Sequence, residues 1–178
     1  RCTLRGNASA RHGGGAYLST LVSCTVESNS ATQQGGGAHS PVVVTNSLIR
    51  WNTAGYYGGG LYKGAVTDSV IASNTVTGLS YDGGGYYGNS AADDRLTGCD
   101  VVGNVARNGG GVYNAVLSNC TVRANRAVGS SATTGSGGGY YASATGYQVY
   151  NTRFLDNEAN YRGGGAYQGA RATGQCNT

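Results

Sequence analysis

The sequence predicts an all-β fold, a parallel β-helix (β-solenoid) of about seven coils, with residues 1–178 forming a single domain. Three observations predict it. Seven Gly-Gly-Gly triplets start at Gly13, Gly35, Gly58, Gly83, Gly109, Gly137 and Gly163, at spacings of 22, 23, 25, 26, 28 and 26 residues. A second motif, Cys/Ser/Thr-x-Val/Leu/Ile/Phe-x-x-Asn, recurs between the triplets. The runs between Gly and Asn alternate with period two and contain no helical pattern, which excludes helical solenoids. A unit of 20–30 residues cannot bury a face alone, so the units must stack.

Each repeat is expected to be a coil of two or three short strands lying on the coil below. At about 4.8 Å per coil, seven coils make a rod roughly 34 Å long. The Asn-terminated strand is clearest at Cys24-Thr25-Val26-Glu27-Ser28-Asn29. Its first and third positions point inward and its second and fourth outward. The fourth position reads Arg5, Glu27, Arg50, Ala72, Val102, Arg123, Leu155, which places Glu27 between two Arg. A Leu or Val stands three residues before most of these strands: Leu21, Val44, Val66, Leu96, Leu117, Val149. The Asn ladder is Asn7, Asn29, Asn52, Asn74, Asn104, Asn125 and Asn157. Each amide can bond a corner's backbone and the next Asn, and Asn tolerates left-handed backbone.

After most triplets comes one small or apolar residue and then Tyr: Tyr17, Tyr62, Tyr87, Tyr113, Tyr141 and Tyr167, with His39 in that place once. This Tyr ladder is the candidate surface stripe. Facing water, it would suit sugar rings or a neighbouring filament; turned on itself, it stabilises the stack.

Composition narrows the function. Charged residues are 11% of the chain, and a net charge of +4 comes from Arg scattered through the repeats, with Lys63 the one Lys. That distribution fits a solvated surface, and no nucleic-acid partner is expected. No apolar run approaches about 18 residues, so no membrane span is expected. The chain has no Met and no leader segment, and it reads as processed material or a piece of a longer protein. With the composition and the cysteines, this points to export.

The triplets and Asn-terminated strands, Phe154-Leu155-Asp156-Asn157 among them, resemble the GGA-x and F-x-x-N repeats of polymorphic outer-membrane and autotransporter passengers. The resemblance covers the whole chain and implies a right-handed parallel β-helix on a bacterial cell surface. The fold it implies hosts adhesins, lyases and structural proteins alike. The chain departs from those proteins in carrying no outer-membrane barrel segment.

Five cysteines share one repeat position: Cys2, Cys24, Cys99, Cys120 and Cys176. Their spacings are not zinc-like. Cys2–Cys24 and Cys99–Cys120 are candidate disulfides; free thiols packed as small hydrophobes are the alternative. Cys176 is odd and available to another subunit.

Coil lengths from one such position to the next are 22, 23, 22, 30, 21, 32 and 24 residues. Insertions over Thr75–Asp82 and Arg126–Ser136, with extra residues before Cys99 and Thr152, lengthen the fourth and sixth coils. They flank the short fifth coil, where they would frame a shallow notch or remain plain surface loops.

Chemistry-bearing patterns are weak. No triplet precedes Gly-Lys-Ser/Thr, so no phosphate loop is expected. Of the eight acids only Asp93 and Asp94 are adjacent, inside an insertion, so no catalytic pair and no enzyme is expected. His12 and His39 fall out of phase, and neither a metal nor a catalytic pair is expected from them. Thr3, Thr25 and Thr121 share an outward position that Leu48, Val70, Asp100 and Arg153 interrupt, which argues against an ice-binding face. Asn7-Ala8-Ser9 and Asn119-Cys120-Thr121 match the glycosylation sequon. No cofactor is expected.

The expected role is therefore structural: an extracellular rod stacking head to tail on copies of itself, since the chain opens and closes inside a repeat. The alternative is a glycan-binding adhesin passenger segment of a larger surface protein.

Overall fold

The computed structural model describes residues 1–129, 131 and 134–169. Among them there is no helix, and 27 short strands follow one another in a repeating order. The first coil contributes β1 (Thr3–Arg5), β2 (Ala8–Ser9), β3 (Ala16–Tyr17) and β4 (Thr20–Val22). Each of these founds a parallel sheet that later coils extend, giving three sheets of seven strands and one of six. The protein is a β-solenoid of about seven coils. Each of the first six coils has four strands, not two or three, and the seventh contributes three among the described residues. The fourth sheet comes from the Leu21/Val44/Val66/Leu96/Leu117/Val149 positions, in strands of two or three residues.

Pairing is in register from coil to coil. Leu4 pairs with Val26, Val26 with Ile49, Ile49 with Ile71, and so on to Phe154. One slip would turn every inward side chain to the surface. The core is three facing columns: Val26, Ile49, Ile71, Val101 and Val122 from the first sheet, Leu61, Tyr86, Val112 and Tyr140 from the third, and Leu21, Val44, Val66, Leu96 and Leu117 from the fourth. The second sheet turns small residues inward: Ala31, Ala54, Val76, Ala106 and Ala127. They are small because the middle glycines of the triplets lie against that sheet. A Cβ on Gly36 would sit 2.3 Å from Thr53 O, and one on Gly84 would sit 2.6 Å from Val105 O.

Single left-handed residues make the corners. In the first coil they are Gly6, Gly13, Leu18 and, before Cys24, Ser23. The recurring Asn is not left-handed itself. The residue before it is, as at Ser28, Trp51, Ser73, Ala124 and Asp156. The Asn instead opens the next strand, which frees its side chain to run along the solenoid axis.

Candidate functional site

Four polar or aromatic columns of equivalent residues run along the solenoid, each built from the same local geometry repeated. The Asn column is the most buried. Asn29 Nδ2–H donates to Asn52 Oδ1 at 3.0 Å and to Leu4 C=O at 2.9 Å, while Asn29 N–H donates to the same Asn52 Oδ1 at 2.9 Å. One amide therefore joins three coils. The pattern begins at Asn7 and repeats at Asn52, Asn74, Asn104 and Asn125. Asn157 donates back to Val122 C=O at 2.8 Å. The third glycine of each triplet covers this column: a Cβ on Gly60 would lie 2.9 Å from Asn74 Nδ2.

The Cys/Ser/Thr column has one bond in common. Each side chain donates to the carbonyl two residues earlier, across a left-handed residue. Cys24 Sγ–H reaches Val22 at 3.3 Å, Ser47 reaches Thr45 at 2.8 Å, Ser69 reaches Thr67 at 2.7 Å, and Cys99 reaches Thr97 at 3.3 Å. Cys120 and Thr152 do the same. This explains why Cys, Ser and Thr interchange: the corner needs a small X–H donor. Cys2, Cys24, Cys99 and Cys120 are free thiols in this structure. Cys99 and Cys120 lie buried against each other, and that contact together with burial pushes the Cys99 thiol up from its ordinary range. Cys176 lies outside the described residues.

The Tyr column stacks face to face. Ring centroids are 5.1 Å apart for Tyr17–His39, 4.7 Å for His39–Tyr62, 5.4 Å for Tyr62–Tyr87, and 4.9 Å for both Tyr87–Tyr113 and Tyr113–Tyr141. Tyr141–Tyr167 continues it at 5.2 Å with the rings tilted. Interplanar angles of 4–6° between Tyr62 and Tyr141 turn the ring faces on each other and leave edges toward solvent. A sugar ring needs a free face, and the column's interior offers none. Tyr17, 54% exposed, sits at its first position. Burial in the stack pushes the Tyr113 phenol up to about 12, and burial also raises Tyr62, Tyr87 and Tyr141.

The residue just before each triplet forms a column that the sequence reading did not single out: His12, Gln34, Tyr57, Asp82, Asn108, Ser136, Arg162. Parallel bridges align His12 with Gln34, Gln34 with Tyr57, and Ser136 with Arg162. The left-handed first glycine folds the chain so that this column faces the Tyr column. The Cβ of a residue at Gly13 would meet Tyr17 Cβ at 3.2 Å. The signal was legible in principle, since the position has a fixed offset from the triplet. Its residues vary in type, so no motif marked it.

Two clusters occupy this face. In the middle, buried Asp82 accepts from Arg107 Nε and Nη2, both at 3.0 Å, and from Asn108 Nδ2 at 3.0 Å. Asn108 Oδ1 accepts from the Gly135 and Ser136 N–H groups. The short fifth coil thus ties the two long corners together. Tyr56, Tyr57, Tyr81 and Tyr87 pack beside it. At the other cluster His12 and His39 are in ring contact, with centroids 4.8 Å apart. They are out of phase, as expected, but that does not keep them apart. The expectation compared positions along one column, whereas the triplet turn places two columns side by side.

Asp94 is also not an insertion surface acid. It is buried and accepts from Gly64 N–H, Tyr86 O–H, Asn89 N–H and Ser90 N–H at 2.7–2.9 Å. It pins the insertion before Cys99 to the core, apart from Asp93. Glu27 accepts from Arg50 at 2.7 Å and faces Arg5 at 3.4 Å, the pairing expected from the register. Among the described residues no three of His, Cys, Asp and Glu converge, and no helix is long and apolar enough to cross a membrane.

The fold and its columns define a parallel β-solenoid repeat protein. No family model, no curated protein and no solved structure matches the chain.

Proposed function

We propose that this chain is an extracellular structural rod, a subunit that stacks end to end on copies of itself into a fibre or surface filament. One observation carries the reading. The recurring Asn, the second and third glycines of the triplet and the aromatic are spent on contact between one coil and the next, while the first glycine and the Cys/Ser/Thr hold the same corners at each repeat. The same hydrogen-bonding step is taken at every coil, and a step that repeats unchanged can extend onto another molecule. The extracellular setting is supported by the low charge and by the resemblance of the repeats to those of outer-membrane and autotransporter passengers.

Electron microscopy of the native, undissociated protein tests it. Filaments with a subunit repeat near one rod length, roughly 34 Å at about 4.8 Å per coil, are expected. Isolated short rods overturn the polymer. They leave the second reading, a passenger segment of a larger surface protein that binds glycans through its long corners.

A further inference from the structure

The chain contains two histidines, and the fold brings them together from 27 positions apart in sequence. His12 stands in the column before the triplets and His39 in the Tyr column, at the one described coil where that column is not Tyr. His39 is clamped between Tyr17 and Tyr62, with interplanar angles of 14° and 18°. The bridge to Gln34 fixes the His12 backbone beside it.

Their nitrogens are unevenly satisfied. His39 Nε2 lies 3.1 Å from Gln34 Oε1. A carbonyl oxygen only accepts, so Nε2 carries the proton and the lone pair is left on Nδ1. That Nδ1 is buried with no hydrogen-bond partner, and the Nδ1 of His12 is in the same condition. Two buried imidazole nitrogens without partners in adjoining rings are costly unless something binds them.

We propose that His12 and His39 bind a late first-row divalent transition ion, Cu2+ or Zn2+, through their two Nδ1 atoms. Two nitrogens each about 2.0–2.1 Å from one ion lie no more than about 4.2 Å apart, and a ring separation of 4.8 Å allows that. Gln34 supplies the outer hydrogen bond that metal-binding imidazoles make with their second nitrogen, and it fixes the tautomer the ion requires. No carboxylate or thiolate joins the pair, so the remaining positions belong to solvent or a small anion. An imidazole-only site of this kind ranks Cu2+ above Zn2+.

The test is a Cu2+ titration followed by calorimetry and electron paramagnetic resonance. It uses a background in which Cys2, an exposed free thiol, is Ser, because an accessible thiol reduces Cu2+; Cys24, Cys99 and Cys120 are buried, and Cys176 is also replaced by Ser. One ion per chain is expected, with hyperfine coupling to two nitrogens. His39→Tyr and His12→Gln install the residues that neighbouring coils carry in the same columns, so the coil keeps its stack. Each should weaken binding by at least about tenfold, and Gln34→Ala by about tenfold. Nitrogen-15 shifts of the two Nδ1 atoms on adding Zn2+ read the same site with both histidines in place. Binding no tighter than in the His12→Gln/His39→Tyr double variant, or a bound ion without imidazole coupling, overturns the proposal.

Discussion

The single amide of Asn74 shows how stability is concentrated in recurring residues. Its Oδ1 accepts from the Asn52 N–H and Nδ2–H, and its Nδ2 donates to Ile49 C=O and to Asn104. All of these groups are buried. Asn74→Ala would orphan the two Asn52 donors and the Ile49 carbonyl, at a cost of about 3 kcal/mol or more. Urea unfolding should show that loss, whereas a surface change such as Thr67→Ala should cost little. The Tyr column has a pH signature. The Tyr113 phenol is raised to about 12 from an ordinary value of 10.0. Folding therefore favours its protonated form; the stabilisation is full below pH 10 and is lost as pH rises through 12. Tyrosinate formation read by ultraviolet difference absorbance should lag in the folded protein relative to the urea-unfolded chain. Tyr113→Phe should reduce the stability lost between these pH values.

At the scale of the element, the glycine triplet is a three-part device. Its first member takes the left-handed corner, its second lies on the second sheet, and its third covers the Asn column. A Cβ on Gly84 would stand 2.4 Å from Gly110 O and 2.6 Å from Val105 O, both backbone atoms that cannot move without parting two coils. Gly84→Ala should destabilise by about 1–3 kcal/mol, the usual range for overpacking, or more if the coils separate. Amide exchange should accelerate across the Gly84–Gly110 junction rather than along one strand. The long corners are anchored elements of a different sort: Asp82 and Asn108 hold one on each side of the fifth coil, and Asp94 holds the insertion before Cys99.

At the scale of the whole molecule, each coil touches only its neighbours, so stability is close to a sum of coil and interface terms. Removing one whole period should therefore be tolerated. Excising Ser47–Asp68 joins Asn46 to Ser69, two residues in matching phase, and brings the Cys24 coil onto the Ser69 coil. The shortened chain should fold with the same far-ultraviolet circular dichroism per residue. Excising Ser47–Tyr57 alone breaks the phase of every later column and should give an unfolded or aggregating chain.

Much of the architecture was legible in the sequence because stacking forces identical environments at a fixed period, and identical environments select similar residues. Val26, Ile49, Ile71, Val101 and Val122 announce an inward column, and the Asn ladder announces its own axis. The fourth strand was hidden because it carries one recurring apolar residue, Leu21 or its equivalents, and no second recurring type to mark it off from the Asn-terminated strand that follows. The left-handed residue before each Asn was hidden because Ser, Trp, Ala, Asp and Gly all fill it. The role of Cys as a hydrogen-bond donor was suggested only by its exchange with Ser and Thr.

By itself the sequence determined the period, the parallel stacking, the inward and outward faces and the Glu27 pairing, since each depends on the spacing of residues along the chain. The tertiary structure alone decided which columns lie side by side. The turn at each triplet places the residue before it against the aromatic after it. That lateral neighbourhood, invisible to any count along the chain, is what turns the Tyr faces on each other, buries Asp82 beside Arg107 and joins His12 to His39.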